Sequence, residues 1–347
     1  MICLSQARLV QSQSPAPAAV PQFDVDPSWP KPLPNRWVLG PVSGIALDAN
    51  DHVLVVQRNE SPSIAAANGV AAPPVVEFDP SGGLVRAWGG PGAGFTWMEQ
   101  VHGISLDPSG RVWISGNGAK DSHLLVFSRT GALVRQIGTP GSRSGSDDRA
   151  NVGAATQMRF DGGEVFVSDG EQDRNHRVIV LDAGTGAYRR HWGAYGGVPQ
   201  DGPAAPFDPA APPKQFGSAV HCLRVSQDGF VYVCDRSNNR FQVFRKDGTF
   251  VREVFLQKET RSVGSVWDVA FSPDQRFMYV ADGTNQKVWI LRRDTYDVVG
   301  SFGGPGRGPG QFATSLHDLM VDSHGNIFTG EAAAAGRIQK FTLRQGR

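Results

Sequence analysis

No apolar stretch in this chain approaches the roughly 18–20 residues that span a bilayer, so no transmembrane helix is expected. Charge of one sign is missing too. Thirty-four basic residues stand against 33 acidic ones, a formal net charge of +1, which leaves no electrostatic footprint for nucleic acid or an anionic membrane surface. Long hydrophobic runs are absent, and 42 glycines and 24 prolines argue for many short strands joined by tight turns. There is no Walker loop, no Rossmann fingerprint and no Gly-x-Ser-x-Gly elbow. Cysteine is scarce. Cys3 lies in the N-terminal leader, while Cys222 and Cys234 flank the SQDG turn and could face each other across a hairpin. A disulfide and two buried thiols are equally open at this point.

What is present is a repeat, and self-similarity decides the fold before anything else. Its instances begin VSGIALDANDHVLVVQR, VHGISLDPSGRVWISGN, AATQMRFDGGEVFVSDG, VHCLRVSQDGFVYVCDR, VWDVAFSPDQRFMYVADG and LHDLMVDSHGNIFTGEA. Each continues into a third strand such as LLVFS or VIVLD, and five of the six into a fourth such as LVRAWG or YRRHWG. Four antiparallel strands recurring every 40–50 residues or so mark the blade of a β-propeller. The chain therefore reads as all-β, a six-bladed β-propeller over residues 31–347, after a leader of residues 1–30. Only five fourth strands follow their repeats. NRWVLG, residues 35–40, has the same composition, so this N-terminal segment is expected to close the last blade and remove its open edge. Residues 59–74, 139–152 and 194–218, rich in Ala, Gly, Ser and Pro, read as surface loops that could line a binding mouth.

In a propeller the first strand of each blade lines the central channel. The equivalent channel positions are Ser43, His102, Thr156, His221, Trp267 and His317. Histidine occupies blades two, four and six, so three imidazoles should meet about 120° apart at one depth. A lone histidine on a strand is ordinarily a satisfied or solvated one. Three in register point to a metal, with zinc the expected ion and a position left open for water or substrate. The remaining histidines, His52, His123, His176, His191 and His324, fall at non-equivalent places and are expected at the surface. Trp267 shares the histidine register and could wall the pocket. Asp169, Asp235 and Asp282 end second strands, where a turn-stabilising role is expected.

These motifs carry a resemblance. The repeat resembles the NHL-type six-bladed propellers, and the surroundings of the histidines look like the peptidyl-α-hydroxyglycine α-amidating lyase family, including its bacterial lyase-like relatives. The resemblance covers about residues 35–345 as architecture and is specific near the motifs. It implies a catalytic zinc on His102, His221 and His317, with Arg58 of VLVVQR and Arg236 of VCDR at the substrate. It also implies a calcium on the carbonyls of Ile45 and Ile104 and on Asp318. The family's catalytic tyrosine is missing: after SDG this chain has Glu171. A carboxylate there could act as a base or join the metal.

The expected function is thus a metal-dependent lyase- or hydrolase-type enzyme acting, as a monomer, on a small polar or peptide-like substrate. Catalytic candidates are Arg58, Glu171 and Arg236. The alternative is a non-catalytic NHL propeller, a binding scaffold whose histidines hold a structural metal. The leader has an Ala/Pro-rich stretch that could end in a cleavage site but lacks a basic start and a proper apolar core. A periplasmic or secreted destination is expected, and a cytoplasmic one stays open.

Overall fold

A computed structural model describes residues 19–61, 64, 68–313, 315–332 and 336–344. Cys3 and most of the leader lie outside the described residues. Six four-stranded antiparallel sheets are arranged in sequence order. Their innermost strands are Val42–Leu47, Val101–Leu106, Ala155–Asp161, Val220–Val225, Asp268–Phe271 and Leu316–Val321. The second strands, Val53–Gln57, Val112–Gly116, Glu164–Asp169, Phe230–Asp235, Phe277–Asp282 and Ile327–Glu331, return toward the mouth that carries the site.

The blades hold together through their faces. Six apolar clusters form, one at each junction between neighbouring blades, the last joining blade six to blade one around Trp29, Val42, Phe328 and Ile338. Two-residue periodicity explains this: each strand of a radial sheet presents alternate side chains to the blade before and the blade after. Acids and amides at the ends of second strands then lock each blade. Asp169 accepts the Gly153 amide and pairs with Arg177 at 2.8 Å. Asp235 accepts the Gly217 amide and pairs with Arg240 at 2.7 Å, both side chains fully buried. Asp282 accepts the Asn285 amide and the Trp289 indole N–H.

The last blade is closed by an N-terminal strand, but not by residues 35–40. Phe23–Asp26 pairs antiparallel with Arg337–Leu343, Phe23 opposite Leu343 and Asp26 opposite Lys340. Phe23 and Val25 pack on the cluster between blades five and six, with the Phe23 ring 5.5 Å from Tyr279 and 5.0 Å from Phe302. NRWVLG instead contributes Trp37–Val38, which pairs in parallel with Val70–Ala71 beside blade one. The choice follows side-chain alternation. FDVD offers two apolar residues on one face and two acids on the other, whereas Trp37 and Leu39 are drawn to the apolar cluster of blade one. The propeller therefore begins within the segment expected as leader.

Two further expectations resolve here. Cys222 and Cys234 lie opposite each other in register and are joined as a disulfide. Among the five non-equivalent histidines, His123 and His176 are buried rather than superficial. His123 bonds through Nε2 to the Thr96 carbonyl, with its Nδ1 buried and without a hydrogen-bond partner, and His176 lies between the Gly217 and Gly202 carbonyls. Long loops fold over strand ends that a repeat alignment leaves bare.

Closure by Phe23–Asp26 has a measurable consequence. Phe23→Ala is expected to cost about 2–3 kcal/mol, read as a lower denaturation midpoint. Removing residues 1–26 should cost more and, by exposing the edge of Arg337–Leu343, cause self-association in size exclusion.

Candidate metal centre

Each histidine is placed by a local irregularity. In five of the six blades the pairing of first and second strands shifts register at the histidine position, between Val42 and Gly44, Val101 and Ile104, Ala155 and Gln157, Val220 and Cys222, and Leu316 and Asp318. Such a bulge leaves one residue unpaired, or two in blade two where Gly103 is skipped as well, and turns the side chain at the histidine position off the regular alternation. That position holds His102, His221 or His317 on the even blades. Gly103 shows how tightly the strands approach: a Cβ there would lie 2.2 Å from the carbonyl of Thr156.

The three imidazoles converge as the repeat predicts. Their ring centroids are 5.1, 4.7 and 4.6 Å apart, and their ligand nitrogens fall within 4.8 Å of one another. His102 Nδ1 donates to the Thr156 carbonyl at 3.1 Å and His221 Nδ1 to the Trp267 carbonyl at 2.6 Å. Those bonds put the ring proton on Nδ1 and leave the Nε2 lone pair facing the channel. His221 Nε2 and His317 Nε2 are 3.2 Å apart. Two nitrogens on one tetrahedral zinc, each about 2.05 Å from it, would be about 3.3 Å apart. His102 Nε2 is buried without a hydrogen-bond partner. Burial, followed by neighbouring Arg236, holds His221 neutral, and burial together with the other two imidazoles does the same for His317. Three converging imidazoles, those of His221 and His317 held neutral, fit a borderline transition metal.

Glu171 comes to this site. Its backbone bridges to Ala219, and its carboxylate has Oε2 3.1 Å from His102 Nε2 and Oε1 3.1 Å from Arg236 Nη2. Burial works to raise its pKa, but the adjoining His102 ring and the Arg236 guanidinium outweigh it and hold the carboxylate well below its usual range. The chain just beyond is strained: Gln172, Asp173, Asn175 and His176 all have left-handed φ, between 46° and 57°. Such strain persists where surrounding contacts over-determine it; here Asn175 is held by Asp169 and His176 by two carbonyls. Arg236 stacks on Trp267 at 4.4 Å, and the Trp267 ring stands 5.5 Å from His221 and 5.8 Å from His317, forming one wall. Arg58 donates Nε to the Val101 carbonyl, one residue before His102.

One participant has no signal in the repeat. Asn117, at the end of blade two's second strand, donates Nδ2 to Glu171 Oε2, while its Oδ1 is buried without a partner. The corresponding positions are Arg58 in blade one and Gly170 in blade three. The repeat thus marks the place but not the residue type.

The calcium expectation rests on Ile45, Ile104 and Asp318. Ile45 and Ile104 lie buried on neighbouring inner strands. Asp318 accepts a hydrogen bond from Gln157 at 3.0 Å and lies against Asp268. Burial, then the Asp268 carboxylate, pushes Asp318 well above its ordinary value. Arg224 donates to Asp268 at 2.8 Å and to the carbonyls of Leu319 and Val269. These bonds use neither the Ile45 nor the Ile104 carbonyl nor Asp318, and Asp318 Oδ1 is buried without a hydrogen-bond partner.

Fold and centre together define a six-bladed β-propeller with a three-histidine group at the channel mouth. The NHL repeat family matches residues 220–244, the segment that carries His221. NHL repeat-containing protein 3 of Homo sapiens is 27% identical over 80% of this chain and 72% of its own length. Peptidyl-glycine alpha-amidating monooxygenase of Mus musculus is 23% identical over 89% of this chain. The chain spans only 31% of that protein's length. The propeller of virginiamycin B lyase from Staphylococcus aureus superposes with a TM-score of 0.53 at 13% identity, over 88% of this chain and 96% of that one. The resemblance to NHL propellers with lyase relatives therefore holds. At that identity the structural likeness speaks for the fold alone.

Untagged protein from metal-replete cells should carry close to one transition-metal ion per chain by elemental analysis, and His221→Ala should lose it. Asn117→Leu should keep the metal yet lose about 1–3 kcal/mol of stability, because it removes a donor from the buried Glu171 carboxylate.

Proposed function

We propose that the protein is a metal-dependent lyase that cleaves the C–N bond of an α-hydroxyglycine-type carbinolamide or a close analogue. The observation that carries this reading is the meeting of three inward Nε2 atoms, one ionised carboxylate and two guanidinium groups at one mouth. A zinc ion on His102, His221 and His317 would supply Lewis acidity that lowers the pKa of a substrate hydroxyl. Arg58 would bind the substrate carboxylate through its guanidinium fork. Glu171 would take the hydroxyl proton as the O–H electron pair becomes the new C=O. The C–N pair leaves on the amide nitrogen, and Glu171 returns the proton there, giving a primary amide and an aldehyde acid. Arg236 would hold Glu171 in place and offset its charge. A carboxylate replaces the family tyrosine in this scheme.

A second reading has its own support. The identity to NHL repeat-containing protein 3, at 26–27%, exceeds that to the amidating monooxygenases, at 22–24%. If Glu171 closed the coordination as a fourth ligand, the site would be structural, and the propeller a binding scaffold. For location, the Cys222–Cys234 disulfide supports an oxidising compartment, periplasmic or extracellular.

The decisive assay is turnover of an N-acylated α-hydroxyglycine peptide by metal-loaded protein. Release of amide and glyoxylate, lowered at least about 100-fold in Arg58→Ala or Glu171→Gln, in the range of a positioned acid–base group, is expected. A metal-loaded protein that turns over none of these substrates would favour the scaffold.

A further inference from the structure

Beside the metal centre lies a cavity of about 340 Å³ whose walls include Arg58, Glu60, Trp97, Met98, Glu99 and Val101. It reaches the site directly, because Val101 precedes His102 and its carbonyl accepts Arg58 Nε at 3.2 Å. Three kinds of surface meet there. Arg58 supplies the cation at the inner end. Trp97 and Met98 supply apolar walls, Met98 being buried and Trp97 half-buried. Glu60 and Glu99, both exposed, supply two carboxylates, and neither enters an ion pair among the described residues. Glu99 accepts only the Lys120 backbone amide. Its volume is at the low end of ligand pockets, which run from about 300 to 1,000 Å³, and suits one side chain rather than a whole peptide.

We infer that this cavity selects the residue attached to the reacting glycine-type unit, and that it prefers a long side chain with an apolar stem and a cationic tip, arginine or lysine. This rests on the proposed carbinolamide reading, in which Arg58 holds the terminal carboxylate. With that end anchored, the preceding side chain turns along the wall of Trp97 and Met98, which packs against methylene groups. Its charged end emerges between Glu60 and Glu99. An acidic side chain would meet two carboxylates of its own sign.

The test compares N-acyl-X-α-hydroxyglycine substrates with X as Arg, Lys, norleucine and Glu. The ratio of kcat/KM for Arg over norleucine should be about 5-fold, since a half-exposed ion pair contributes about 1 kcal/mol, and Glu should be the poorest. In the Glu60→Gln/Glu99→Gln double variant, checked for fold by circular dichroism, that ratio should fall toward one. Equal kcat/KM for Arg and Glu substrates, or a preference that survives the double substitution, overturns the inference. Should no substrate of the panel turn over, the lyase reading fails by itself. Calorimetric binding of the unreactive N-acyl-X-glycine acids then decides: tighter binding of Arg than Glu, lost in the double variant, upholds the pocket, and equal binding refutes it.

Discussion

Ring closure is the constraint on which the rest of the structure depends. A radial array of six sheets sets the angle between any two blades only if the first and last are joined, and the join is four residues long, Phe23–Asp26 against Arg337–Leu343. Trp29 reinforces it, its ring 5.6 Å from Phe78 of blade one and 4.8 Å from Phe328 of blade six. The convergence of histidines from blades two, four and six follows from that closed geometry. An open array would let blade six drift from blade four and separate Nε2 atoms that now stand 3.2 Å apart.

Within the ring, the channel is built from defects in strand pairing. A perfectly regular inner strand would send every second side chain into a blade face. The bulge at the histidine position lets neighbouring residues both address the channel, which is why His317 and Asp318 each find channel partners. Polar groups at that axis are then satisfied between blades rather than within them. Ser43 donates to the Val101 carbonyl, Thr156 to that of Val220, His102 to that of Thr156 and His221 to that of Trp267. Each bond ties one inner strand to the next, so the same contacts that orient the imidazoles stitch the ring.

Charge at the mouth is arranged with comparable economy. Burial by itself would neutralise Glu171, yet Arg236 and His102 keep it ionised, and Arg236 is in turn held by stacking on Trp267. Arg224 pairs with the buried Asp268 carboxylate, and Asp318, the acid that the resemblance offers to calcium, lies against Asp268. Burial keeps the His221 and His317 imidazoles neutral.

Much of this was legible in the chain. Six repeats, four strands per blade and the register of His102, His221 and His317 are one-dimensional facts, because a repeat maps sequence period onto rotation about an axis. Arg58 and Arg236 were legible for the same reason, as residues ending equivalent strands. Other features were decided only in three dimensions. NRWVLG and FDVD are both short and partly apolar, and what chose FDVD was the pairing edge and apolar cluster that blade six presents. His123 and His176 are buried by loops whose course no periodicity constrains. Asn117 meets Glu171 across two blades, a contact set by blade separation and by the strained turn after Glu171. Sequence alone determined which residues share a depth on the axis; only the tertiary structure decided which of their neighbours reach it, because loops and bulges, unlike strands, carry no period to read.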